Sequence, residues 1–269
     1  MARRGRDRIV AEVESSFMIK RSIHHYFWFG TCAQFLLFVD PGLPLRVPSR
    51  RGVLDNIEGF FSYLDKLGLQ VTARTTSELK DLAERFRKAP GDSRISVEQV
   101  QELSRIMVGI RTTLEAEMQG FNAYIVTPKR LDVDKLLEDI PSLLAPGVYQ
   151  ALPSIAQFDL MEAGKCIAFE RSTAAAFHIL RGTECVLRAF YCAIVKQKRV
   201  SFMWGNMVED LRGRRKARQY QVLLDNLDNI RRSFRNPTQH PELTYDIHEV
   251  QDLWGLCVDA VNRMAKALK

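Results

Sequence analysis

Apolar residues recur at three- and four-residue spacing through most of this chain and hardly anywhere at alternate positions, which predicts helices and almost no strand. Leu54, Ile57, Phe60, Phe61, Leu64 and Leu67 mark one helical face, which Gly68 closes. Thr75 and Glu78 stand in capping-box spacing ahead of a short helix to about Lys88, ended by Ala89-Pro90-Gly91. Ser96 and Gln99 cap the clearest pattern of this half, with Val97, Val100, Leu103, Ile106, Met107, Ile110, Leu114, Met118 and Phe121 on one face, read as a core stripe. Before these, Tyr26 to Val39 is the most apolar stretch. At about 14 residues it falls short of the roughly 20 that cross a bilayer, so a buried helix or strand is expected and no membrane role.

Asp40-Pro41-Gly42-Leu43-Pro44, with Pro48 and Arg50-Arg51 after it, reads as a loop. Between Thr127 and Pro153, the prolines at 128, 141, 146 and 153 enclose one short helical piece around Lys135 to Ile140. This stretch is taken as the boundary between a mostly helical N-terminal region, 1–150, and a second domain, 151–269. From Gln157 the pattern is helical again, with Ile167, Ala174, Phe177, Leu180, Leu187, Phe190 and Ile194 expected to cover a core. A shorter helix runs from Trp204 to Leu211-Arg212-Gly213. Gln219 to Phe234 comes next, with Val222, Leu223, Leu227, Ile230 and Phe234 on its apolar side. Asp246 and Glu249 open the last helix, faced by Ile247, Val250, Leu253, Trp254, Val258, Val261, Met264 and Leu268. The fold class is therefore all-α, with four C-terminal helices of bundle type.

Charge adds a direction. Residues 151–269 hold 18 Lys and Arg against 13 Asp and Glu, whereas residues 1–150 hold 21 against 19, so most of the net charge of +7 lies in the second part. A basic balance favours polyanions, nucleic acid first. Arg212, Arg214, Arg215, Lys216 and Arg218 place five cations in seven residues of an expected interhelical loop and are candidate RNA contacts. Arg181, Glu184 and Arg188, at i, i+3 and i+7, form either an exposed ion-paired ladder or, through Arg181 and Arg188, the lining of a phosphate groove. The five cysteines are odd in number, irregular in spacing and contain no CxxC, which points to reduced, mostly buried thiols of a cytoplasmic protein without a zinc site or disulfide framework. The basic start Met1 to Arg8 is succeeded by acids rather than an apolar core, so no secretory signal is expected there. No P-loop, dinucleotide fingerprint, nucleophile elbow or metal-ligand cluster occurs. Neither metal nor cofactor is expected.

An arginine followed after four to six residues by a histidine occurs twice. Arg171 and His178 fall inside one expected helix, in an Ala-rich stretch where a histidine packs. Arg235 and His240 bracket Asn236-Pro237-Thr238-Gln239 instead, at the close of one helix and in a proline-bounded turn before the last. This segment, with Ala163 to Phe169, Phe177 to Arg181 and Glu184, Trp204-Gly205-Asn206-Met207 and Asp252 to Cys257, resembles uncharacterised bacterial proteins of the HEPN superfamily over about 110 of 269 residues.

The resemblance implies a four-helix HEPN-type bundle in which two copies face each other across a composite cleft and cleave RNA without metal. His240 would move the proton of the ribose 2′-hydroxyl or of the leaving 5′-oxygen. Arg235 would clamp the charged phosphorane, Asn236 would position, and Thr238 would orient the turn. One convincing motif per chain implies a homodimer through this domain. A toxin–antitoxin or anti-phage setting comes from the same resemblance, with an antitoxin or regulatory protein as further partner. From the residues alone, Arg235 and Asn236 can also cap a helix end and His240 can bond the turn backbone. The competing expectation is then a non-catalytic HEPN-like module that binds a protein or a nucleotide.

Overall fold

Three helix ends fall where capping chemistry put them. Ser96 accepts from the Gln99 backbone N–H while the Gln99 side chain accepts from the Ser96 N–H, and Asp246 and Glu249 repeat the exchange. Gly68 adopts φ 71°, the left-handed conformation that glycine takes without a steric penalty. Thr75 does not cap: the next helix starts after Thr76, whose hydroxyl donates back to the Ala73 carbonyl.

The structure, a computed structural model, describes residues 21–47, 52–196, 201–239 and 243–268. It is predominantly α-helical. Among the described residues the extended pairing is one isolated bridge, Pro44 with Arg94, and no helix is long and apolar enough to cross a membrane. The chain forms two compact units, 1–123 and 124–269.

The first unit holds α1 (Ile23–Leu37), α2 (Val53–Leu67), α3 (Gln70–Arg74), α4 (Ser77–Lys88) and α5 (Val97–Met118). α1 packs on α2 and α5, with Phe29 stacked on Phe60 at 5.1 Å between centroids. The apolar run read as a buried element is α1, but among the described residues it is the side bearing Phe29, Cys32 and Leu36 that is covered, while Phe27 and Trp28 are exposed. The α5 stripe buries Leu103, Ile106, Met107, Ile110 and Leu114, whereas its ends, Val97 and Phe121, lie in solvent.

The second unit holds α6 (Val133–Glu138), α7 (Val148–Ala151), α8 (Ser154–Ala168), α9 (Ser172–Ile194), α10 (Trp204–Arg212), α11 (Gln221–Ile230) and α12 (Ile247–Lys266). α9 is central: α8, α10 and α12 all pack on it. Leu136, Ile140, Leu144, Val148 and Leu152 join this same core, so the proline-rich stretch read as a boundary is built into the second unit and the division falls near Ala123. Prolines interrupt its helices, but the apolar residues between them still find partners, and Asn262 accepts from the Ala145 N–H at 3.0 Å.

From Ser154 onward there are five α-helices among the described residues, where the pattern suggested four. The break at Phe169 to Arg171 turns on Glu170 at φ 57°, with neither Pro nor Gly to announce it. Arg171 is consequently the N-cap of α9 rather than part of a helix shared with His178. Phe177, expected in the core, is 47% exposed, and Val222 is 63% exposed, because Leu180 and Leu223 take the covered sides. The last helix matches its expected face at Val250, Leu253, Trp254, Val261 and Met264.

α6 and α8 approach so closely that a Cβ on Gly164 would collide with the Leu136 carbonyl oxygen and stand 2.5 Å from Ile140 Cδ1. Gly164→Ala should therefore lower the stability of the second unit by about 2 kcal/mol in urea unfolding. Gly255→Ala, on an open face of α12 with nothing within 4 Å, should raise it by about 0.5–1 kcal/mol.

Candidate functional site

The Arg235 to Gln239 segment starts from an irregular helix end. α11 passes into a π-helical turn, Arg231–Arg235, in which the Asn236 N–H donates to the Arg231 carbonyl at 2.9 Å. A π turn widens the helix by one residue and re-aims the residues after it. Arg231 and Arg232 both turn back to Asp228, at 2.8 and 2.7 Å. Burial acts to raise the Asp228 carboxyl, but the hydrogen bond from Arg231 and the surrounding arginine charges outweigh it and hold the group below the ordinary carboxylate range.

Arg235 leaves this turn toward α9. Its Nη2 lies 3.5 Å from Glu184 Oε2, while Arg188, one turn along, donates to the other Glu184 oxygen at 2.6 Å. The carboxylate is 15% exposed and the two arginines are 33% and 53% exposed, so one screened acid holds two cations that still reach solvent. The pair Arg235–Glu184, at 3.5 Å, is the longest of these contacts.

Behind Arg235 the turn is fixed. Thr238 is buried; its hydroxyl donates to the Phe234 carbonyl at 2.6 Å and shares a 2.7 Å hydrogen bond with the Tyr245 hydroxyl. Tyr245 stacks on Phe234, and its N–H donates to Thr173 Oγ1 of α9 at 3.1 Å. Burial leads the upward displacement of the Tyr245 phenol. Asn236 is exposed beside this knot. His240 lies outside the described residues.

The basic run is split by the fold. Arg212 pairs with Asp225 at 2.7 Å, and Arg214 pairs with Asp210, which also accepts from the Tyr191 hydroxyl at 2.6 Å. Arg212 ends α10, and the run from Arg215 is a 3-10 helix, Arg215–Tyr220, rather than an irregular loop; Ala217 is buried in it and Arg215, Lys216 and Arg218 are exposed. These cations precede α11 whereas Arg235 comes after it, so at a rise of 1.5 Å per residue the two clusters stand roughly 20 Å apart along the helix. The structure brings Arg235 and Arg188 together and keeps the basic run separate from them.

Arg181 has a different partner from the one its spacing suggested. Its Nε and Nη2 donate to both oxygens of Asp159 on α8, at 2.6 to 3.0 Å, and His178 Nδ1 meets the same carboxylate at 2.8 Å. The Asp159 side chain is fully buried. Burial acts to raise its carboxyl, but the hydrogen bonds from His178 and Arg181, with the arginine charge, outweigh burial and leave it below the ordinary range. Sequence reasoning missed this cluster. The available signal was an Asp on the apolar side of α8, in register with Ala156, Ala163 and Gly164.

No family model, no curated protein and no solved structure matches this chain.

Because Asp159 ionises more readily folded than unfolded, its contribution is full above about pH 5 and is lost as pH falls through and below 4. Asp159→Asn should flatten that acid limb in stability measured against pH. Arg181→Ala should cost about 1.5–3 kcal/mol at pH 7, since it leaves the buried carboxylate with His178 alone. Asp159→Asn should cost less, because Arg181, 60% exposed, can return to water.

Proposed function

We propose that the second unit is a HEPN-type, metal-independent endoribonuclease that works as a homodimer, in a toxin–antitoxin or anti-phage setting with an antitoxin or regulatory partner. The observation that carries this reading is the presentation of Arg235: a π turn swings it off α11, Thr238 and Tyr245 lock the turn behind it, and Glu184 steadies it beside Arg188. A guanidinium held by one long contact and one-third exposed is one that a phosphate can capture.

In this reading His240 takes the proton of a ribose 2′-hydroxyl as its oxygen attacks the adjacent phosphorus. The bond from phosphorus to the 5′-oxygen breaks, and that oxygen receives a proton from a histidine across the dimer cleft. The products are a 2′,3′-cyclic phosphate and a free 5′-hydroxyl. Arg235 neutralises the charge that builds on the non-bridging oxygens. Arg188 adds positive field, and exposed Arg215, Lys216 and Arg218 would hold the strand at a distance.

The second reading, a non-catalytic HEPN-like module binding a protein or a nucleotide, is favoured by the same Arg235–Glu184 contact if that contact is a structural tie.

Purified protein in EDTA should cleave a mixed RNA substrate, and His240→Ala and Arg235→Ala, matched for folding and oligomeric state, should each lose about 10²- to 10³-fold in rate. Glu184→Gln should keep cleavage within about tenfold if Arg235 acts on phosphate. Equal inactivity of parent and variants, with no toxicity difference on expression, would hand the lead to the binding module.

A further inference from the structure

α1 carries no Asp, Glu, Lys or Arg from Ile23 to Leu37, yet part of it faces water. Ile23, Phe27, Gly30, Gln34 and Leu37 follow one another at three- and four-residue spacing and share one side of the helix. Ile23 is 80% exposed, Phe27 66%, and Phe38 at the C-cap 68%. Phe27 is braced where it projects: His24 stacks on it, and Trp28 meets it edge-on at 5.9 Å between centroids.

Along this row α1 and α5 part to leave a groove of about 590 Å³, walled by Gly30, Ala33 and Leu37 on one side and Ile110, Leu114 and Met118 on the other. The charges at its lip already answer each other, because Arg111 donates to Glu115 at 2.6 Å. Gly30 is the midpoint of the 15-residue helix. Ile23 and Leu37 lie seven residues to either side of it, and Phe27 and Ala33 lie three. A Cβ on Gly30 would meet nothing within 4 Å, so packing within the chain does not require a glycine there. What the missing side chain permits is the close approach of another backbone.

We propose that α1 is an interface between two copies of this chain, in which the two helices cross antiparallel on a two-fold axis at Gly30 and Phe27 of each copy seats in the α1–α5 groove of the other. Three features select a second copy. Projection and groove lie on one helix at mirrored positions, so the axis sets Phe27 against the partner's Ala33 and Ile23 against the partner's Leu37, as an isologous contact requires. The row has no charge and the groove lip none unpaired, so the occupant needs an uncharged face, which α1 itself supplies. Ile23, Phe27 and Phe38 with the groove walls offer roughly 500 Å² per copy and about 1,000 Å² across the pair, the floor for a specific interface. This contact lies in the first unit and needs neither the Arg235 turn nor RNA cleavage.

The test uses the full chain carrying Gly30→Cys and a short bismaleimide, with the parent and Gly109→Cys, an equally open glycine position on α5, as baselines. Gly30→Cys should give a covalent dimer, joined between the two substituted positions by peptide mass, well above both baselines. The yield should hold in about 1 M salt, because no ion pair is involved. Adding Phe27→Asp should raise the protein concentration needed for half cross-linking by at least about 30-fold, with unchanged circular dichroism. This readout reports two Gly30 positions in contact, so it stands apart from the RNA cleavage assay and from pairing through the second unit.

Cross-linking at the level of Gly109→Cys overturns the proposal, as does a cross-link that Phe27→Asp leaves unchanged. Should Gly30→Cys fail to fold, sedimentation of the parent against Phe27→Asp decides: weaker association of the variant supports the interface, and equal association overturns it. Flotation of the parent with phosphatidylcholine vesicles, lost in Phe27→Asp and unaccompanied by the cross-link, overturns the second copy in favour of a lipid surface.

Discussion

The close contact of α8 and α9 at Gly182 and Asp159 governs the second unit. A Cβ on Gly182 would stand 3.1 Å from the Asp159 Cβ, so a side chain there would press on the residue whose carboxylate lies between the two helices with no exposed atom. Once there, the charge has to be matched, since burying an unpaired carboxylate costs several kcal/mol. His178 and Arg181, three residues apart on α9, answer it from one side. Glu184 and Arg188 follow them along α9 and pair with each other.

Arginines in this unit divide into two groups by what they touch. Arg181, Arg212, Arg214 and Arg231 pair with carboxylates of neighbouring turns or helices and act in the fold. Arg188 and Arg235 are paired as well, sharing Glu184, whereas Arg215 and Arg218, with Lys216, stand in solvent. Net charge alone would have counted all of them as available to a polyanion. The distinction is geometric: a cation within reach of a screened carboxylate has a partner already, and a competing phosphate must displace it.

Irregular backbone marks the Arg235 turn. A π turn gives up some hydrogen-bond regularity, and its retention here is balanced by what it allows: Asn236 and Thr238 come after it with the Thr238 hydroxyl buried and doubly bonded against Phe234 and Tyr245. Tyr245 also ties the segment to Thr173 at the first turn of α9, so it is braced by the helix that carries Glu184. Motif residues and their brace thus come from α9, from the end of α11 and from the approach to α12.

Much of the architecture was legible in the chain, because helix periodicity and capping boxes are local properties. The Ser96 and Asp246 starts, the Gly68 stop, and the faces of α2, α5 and α12 depend on residues within one or two turns of each other. The break at Glu170 escaped because its left-handed backbone is imposed without Gly or Pro, and the place of residues 124–150 escaped because prolines signal the end of a helix but not which core the next residues join. The candidate site was legible only as residue types in order. That Arg181 would meet Asp159, 22 residues away, and that Arg235 would reach Glu184 depend on how α8, α9 and α11 pack. Those pairings are set by distances across the core, which no spacing along the chain encodes.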